Sequence, residues 1–156
     1  MSKGKKEVVV VSVSWKVGAG SAGVVPAPAK WVRRCNKLVA AYVKRNPPEY
    51  EYYQADEIHI LFQHGERTEG WHLGAPGSVS KIVVCYSGEC QMPFSMFIEV
   101  LAHELAHAYA MPDDKTRLAF LLCSYSDRPH ERYAEEVAQY VLEKVYDAER
   151  MKPKDG

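Results

Sequence analysis

The chain carries no net charge, because 20 Lys and Arg are matched by 20 Asp and Glu. That balance argues against a protein that grips nucleic acid by neutralising phosphates. The only basic run near the start, Lys3, Lys5 and Lys6, reads as a solvated tail. No Cys-x-x-Cys pair occurs among Cys35, Cys85, Cys90 and Cys123, so no thiolate zinc site is implied. Cys85 and Cys90 could join across Ser87-Gly88-Glu89, but four reduced, partly buried thiols are the simpler expectation inside a cell. No apolar run approaches the length of a membrane span, and repeats, low-complexity tracts and inter-domain linkers are lacking.

What is present fits one domain over residues 1–156. A chain of this length buries roughly 70% of its unfolded surface and needs no disulfide scaffold. Lysines followed by Val8-Val9-Val10-Val11 and small residues over 18–23 imitate a secretory signal. Glu7, Lys16 and the serine-interrupted apolar stretch favour a buried strand in a cytoplasmic protein instead.

Residues 7–17 read as that strand. Over 30–45, Trp31, Cys35, Leu38, Val39 and Tyr42 recur at helical spacing, and Asn46-Pro47-Pro48 ends the helix. Ile58, Ile60 and Phe62 alternate in a half-buried strand over 57–63. Residues 65–80 are a Gly-rich loop or irregular hairpin carrying Trp71 and His72, and 81–86 form another strand. Pro93 opens a helix that Pro112 stops. Asp113 or Asp114 can cap a short helix through Leu122, and Asp127 can cap a last helix with Pro129 in its first turn. Strands early and helices late predict an α+β fold, with a small twisted mixed sheet packed on helices.

The chemistry is concentrated in His103-Glu104-Leu105-Ala106-His107. Residues four apart share a helix face, so the two imidazoles can meet one ion. Glu104 stands beside them as general base for a water whose pKa the metal lowers to about 7. With 6 His and 14 Glu in the chain, chance gives H-E-x-x-H in roughly 2% of such sequences. The surrounding helix adds weight, because Phe97, Ile98, Leu101 and Leu105 make unpaired imidazoles and a carboxylate expensive to bury.

A catalytic zinc needs a third protein ligand and an open position. In the last helix, Glu131, Ala134, Glu135, Ala138, Leu142 and Val145 form the core-facing stripe. Two glutamates on that stripe call for a cation, whereas Arg132, Glu136, Gln139 and Glu143 point to solvent. His130 is a rival ligand. It lies about 100° around the helix from Glu131, so the two do not ligate together easily, and Glu131 fits the stripe better.

His103-Glu104-x-x-His107 followed by Glu131-x-x-Ala134-Glu135 resembles the gluzincin peptidases. It is most similar to small members such as the minigluzincins and the ImmA/IrrE-type peptidases, over residues 94–111 and 128–142. An integral-membrane group shares the E-x-x-A-D/N pattern, but this chain lacks such spans. The resemblance implies a zincin-like fold, one catalytic zinc held by His103, His107 and Glu131, Glu104 as base, and Glu135 bonding a ligating imidazole. Glu135 replaces the Asp or Asn usual in the family, so its longer side chain must pack differently.

His72, His130, Tyr133 and Tyr125 are candidates for the oxyanion or substrate contact such an enzyme needs. Gly18-Ala19-Gly20-Ser21-Ala22-Gly23 matches G-x-G-x-x-G, but Pro26 and Pro28 delay the helix that a dinucleotide site requires. His59 reads as a surface strand residue and His64 as a turn residue. The expectation is a zinc metalloendopeptidase acting on a peptide or protein, without nucleic-acid or membrane partners, the substrate adding to a strand edge near residues 81–86. One alternative is a zinc-stabilised regulatory or binding module without turnover, its site intact; another is a pseudoenzyme with a structural zinc closed by a fourth protein ligand such as His130 or a cysteine.

Overall fold

The valine run does form a strand, and it opens a mixed four-stranded sheet. The computed structural model describes residues 9–16, 29–65, 69–87 and 94–151. In chain order these are β1 (Val9–Lys16), α1 (Ala29–Arg45), β2 (Glu57–Gly65), β3 (Glu69–Leu73), β4 (Val79–Ser87), α2 (Phe94–Tyr109), α3 (Asp114–Phe120), a 3-10 turn (Tyr125–Asp127) and α4 (Pro129–Met151). The molecule is α+β. Residues 17–28 lie outside the described segments, so the glycine-rich loop has no structural account. The same holds for Pro93 and for Cys90 with its suggested pairing.

The sheet order is β1-β2-β4-β3. β1 runs parallel to β2, β2 parallel to β4, and β3 antiparallel to β4. The alternation in β2 buries Ile58, Ile60 and Phe62, opposite Ser80, Ile82 and Val84 of β4. Phe62 stacks on Phe97 of α2 at 5.4 Å, so this face of the sheet meets that helix. In β3, Gly70 and His72 stand opposite Val84 and Ile82 and share the same face.

Helix α2 is the hub, touching β3, β4, α1 and α4. Its interior side buries Phe97, Ile98, Leu101, Ala102, Leu105 and Ala106. Alanines on both sides, Ala102 and Ala106 of α2 and Ala134 and Ala138 of α4, keep the buried surfaces between the helices small. The Tyr109 hydroxyl donates to Asn36 Oδ1 at 2.9 Å, a buried polar tie from α2 to α1. The last carbonyls of α2 are orphans of the helix, and the 50–55 segment satisfies them. Ala55 N donates to Ala108 O at 2.9 Å, the Tyr50 hydroxyl donates to Ala110 O at 2.6 Å, and Tyr53 pairs with Met111 in both directions. Among the described residues, no helix is long and apolar enough to cross a membrane.

Some expected details shift. Asp113 caps α3, accepting from Thr116 N at 2.7 Å. Asp127 does not cap α4; its carboxylate takes the Ser124 hydroxyl at 2.7 Å, and Pro129 opens the helix directly after Arg128. Residues 81–86 belong to an internal strand with both edges filled, and among the described residues β3 is the outer strand on that side. Glu136 does not merely meet solvent, because the Tyr42 hydroxyl of α1 donates to its Oε2. The buried side of α4 is rotated from the expected stripe, with Val137 and Val141 joining Ala134, Ala138 and Val145. Glu135 is displaced from it to a half-exposed position.

Leu101 is fully buried at the hub. Leu101→Ala should cost about 3 kcal/mol in urea unfolding. A loss under about 1 kcal/mol would mean that α2 is not packed as described.

Candidate metal centre

One turn of α2 separates His103 from His107, and their rings meet edge to face with centroids 5.0 Å apart. The first turns of α4 bring Glu131 between them, its Oε1 3.0 Å from His103 Nε2 and 3.0 Å from His107 Nε2. One donor atom from each of these residues lies within 4.8 Å of the others, and they form the one such group among the described residues. The Tyr125 hydroxyl of the 3-10 turn also donates to Glu131 Oε1 at 3.0 Å. Three groups thus converge on one oxygen that has two lone pairs. Two imidazole nitrogens and a carboxylate oxygen are the donor set of a borderline metal such as zinc. Bonds of about 2.1 Å in a tetrahedral site place neighbouring donors roughly 3.4 Å apart, so these atoms fit an ion after small outward shifts.

The support around the ligands is also built. Glu135 Oε2 lies 3.3 Å from His103 Nδ1, so the longer acid still reaches the imidazole. Gln139 donates to its other oxygen at 3.4 Å. Glu104 is buried on α2 beside Gly70 of β3. A Cβ at Gly70 would stand 2.8 Å from both Glu104 Cγ and Val100 Cγ1, so glycine is what lets the strand lie against the helix.

Charge is unevenly held here. Burial raises the Glu104 carboxyl above its ordinary range, while His107 and His103 oppose the shift. Burial acts on Glu131 in the same sense, but the hydrogen bonds from His103 and His107 prevail and hold it well below. For His103, burial favours the neutral ring, yet the bond to Glu131 and the nearby charges of Glu104, Glu131 and Glu135 raise it overall. Burial, with His107 close by, pushes His72 down to about 3, so its ring is neutral. His130 is lowered for the same two reasons.

The other candidates separate cleanly. His130 is buried and stacked on Phe120 at 5.6 Å, and its Nε2 lies 3.8 Å from Glu131 Oε2, outside the donor group. Tyr133 does not reach the site. Two residues past Glu131 it points about 200° around the helix, and its hydroxyl donates to Asn46 O at 2.6 Å behind α4. His72 does reach it, with its ring 6.0 Å from that of His107. It lines a cleft of about 460 Å³ with Glu104, His107, Tyr125 and Glu131. A second hollow of about 460 Å³ lies against His103 and Glu135 and shares Tyr125 and Glu131 with the first. Gly70 and Ser80 had no signal in the residue pattern, because their importance lies in contacts between strands.

No protein-family model matches the chain, and neither a curated protein nor a solved structure matches it significantly.

The histidine–glutamate pairing has a defined pH window in metal-free protein. Glu131 is depressed below its ordinary 4.5, so its contribution is present above that value and lost as pH falls through the folded one. His103 is raised above its ordinary 6.5, so its contribution is full below 6.5 and lost as pH rises through the folded value. In chelator-treated protein Glu131→Gln should cost on the order of 2 kcal/mol at about pH 5.5 and less at about pH 9. Equal losses at both would argue against this pairing. Gly70→Ala should lower stability by about 1–3 kcal/mol through overpacking, with metal stoichiometry unchanged because no ligand is touched.

Proposed function

We propose that the chain is a zinc-dependent peptidase of gluzincin type, with a zincin-like arrangement of sheet and helices. The observation that carries this reading is the single Glu131 oxygen set 3.0 Å from both motif imidazoles, with Glu104 buried beside them. Zinc bound there would supply Lewis acidity, polarising a carbonyl and acidifying water near neutral pH.

The chain's own residues supply the rest. His103, His107 and Glu131 would hold the ion, and Glu135 fixes the His103 ring through Nδ1. Glu104 accepts the proton of the attacking water at its carboxylate and passes it to the departing amine. Its raised proton affinity suits that exchange. β3 is an outer strand of the sheet among the described residues, and over Gly70–His72 it offers a peptide backbone a strand to pair with beside Glu104 and His107. The cleft lined by His72, Glu104, His107 and Glu131 leaves room for a peptide segment beside the donor group. No further His, Cys, Asp or Glu joins the donor group among the described residues, which favours an open site over a closed structural one. Cys35, Cys85 and Cys123 are free thiols, in keeping with a cytoplasmic setting.

Glu104→Gln separates chemistry from metal binding. Zinc-loaded wild type should cleave members of an unbiased peptide mixture in a chelator-sensitive way. The variant should retain zinc and lose at least about a hundredfold in rate. Cleavage by Glu104→Gln at the wild-type rate, or no cleavage by wild type, would overturn the proposal.

A further inference from the structure

Ser80 is a fully buried hydroxyl in a row of apolar residues, opposite Ile58 and next in the face to Ile82. Its Oγ lies 2.7 Å from His72 Nε2, its one side-chain partner among the described residues. Gly74 leaves room for that contact, since a Cβ there would stand 2.5 Å from Ser80 Oγ and 3.2 Å from His72 Nε2. A buried hydroxyl that leaves its hydrogen unplaced forfeits about 1–3 kcal/mol, and Nε2 is the acceptor at hand. Ser80 therefore donates to Nε2, and the proton of the neutral imidazole sits on Nδ1.

That nitrogen is available. His130 Nδ1 is the one sealed, unpartnered side-chain atom among the described residues, so His72 Nδ1, which also has no partner among them, opens on the cleft. The shared face of β3 puts Gly70 against Glu104 and His72 against His107, so the imidazole hangs over the motif. We propose that His72, in the tautomer set by Ser80, donates its Nδ1–H to the carbonyl oxygen of the peptide bond being cleaved. The inference rests on the peptidase reading and adds a donor that no ligand of the metal provides. Charge gathers on that oxygen as the carbonyl carbon becomes tetrahedral, and a donor already fixed in a largely buried site needs no reorganisation. Ser80 is a positioning residue, acting through His72.

Two measurements test it, one without substrate. Long-range ¹⁵N–¹H NMR should find His72 protonated at Nδ1 in the wild type and a mixture of tautomers in Ser80→Ala. In steady-state cleavage of the peptide mixture by zinc-loaded protein, His72→Phe should lower kcat about 100-fold, with a smaller change in KM and unchanged zinc content. His72→Asn can place an amide N–H near the Nδ1 position and should stay within about tenfold of wild type, with Ser80→Ala between the two variants. An Nε2–H tautomer in the wild type, or full activity in His72→Phe, overturns the inference while the peptidase reading stands. A wild type that cleaves nothing overturns that reading and the donor role together, and the tautomer then still reports whether Ser80 orients His72.

Discussion

Two imidazoles and two carboxylates sit largely inside an apolar interior, and their mutual pairing is what makes this tolerable. The side chains of His103, His107 and Glu131 are only 16%, 11% and 15% exposed, so water cannot satisfy them fully. Removing any one would leave its partners with unmet polar groups, at a cost of about 2 kcal/mol. Because Glu131 belongs to α4 and the histidines to α2, the same contact ties the two helices. The small residues buried along both helices, Ala102, Ala106, Ala134 and Ala138, suit the close approach such a short bridge demands.

The sheet contributes differently, as a wall rather than a source of ligands. β3 lies on α2 through Gly70, where even a methyl group would collide with Glu104. Burial by that wall raises the proton affinity of Glu104, and the two histidines beside it act in the opposite sense. Strand placement and the proton affinity of this carboxyl are thus one geometric fact.

Much of this was legible in the residues. H-E-x-x-H has a fixed helical meaning, the alternation around Ile58 to Phe62 marks a strand, and glutamates recurring with Ala134 and Ala138 pointed to α4 as the source of a ligand. The finer choices needed tertiary structure. Tyr125 and Tyr133 are similar near Glu131 in sequence, yet helix phase turns Tyr133 to Asn46 while the 3-10 turn aims Tyr125 at Glu131. The order β1-β2-β4-β3 places a short glycine-containing strand on the edge and a longer valine-rich one inside, which periodicity alone does not separate. Ser80 and His72 meet across β3 and β4, eight residues apart, and neither residue announces the other.

The clasp between the 50–55 segment and the end of α2 has a further consequence. Tyr50, Tyr53 and Ala55 hold the backbone around Ala108, Ala110 and Met111 with main-chain and hydroxyl bonds that involve none of the metal donors. The helix bearing the histidines is thus anchored by a joint of its own. An ion leaving the proposed site would leave this joint untouched, because none of its bonds runs through His103, His107 or Glu131.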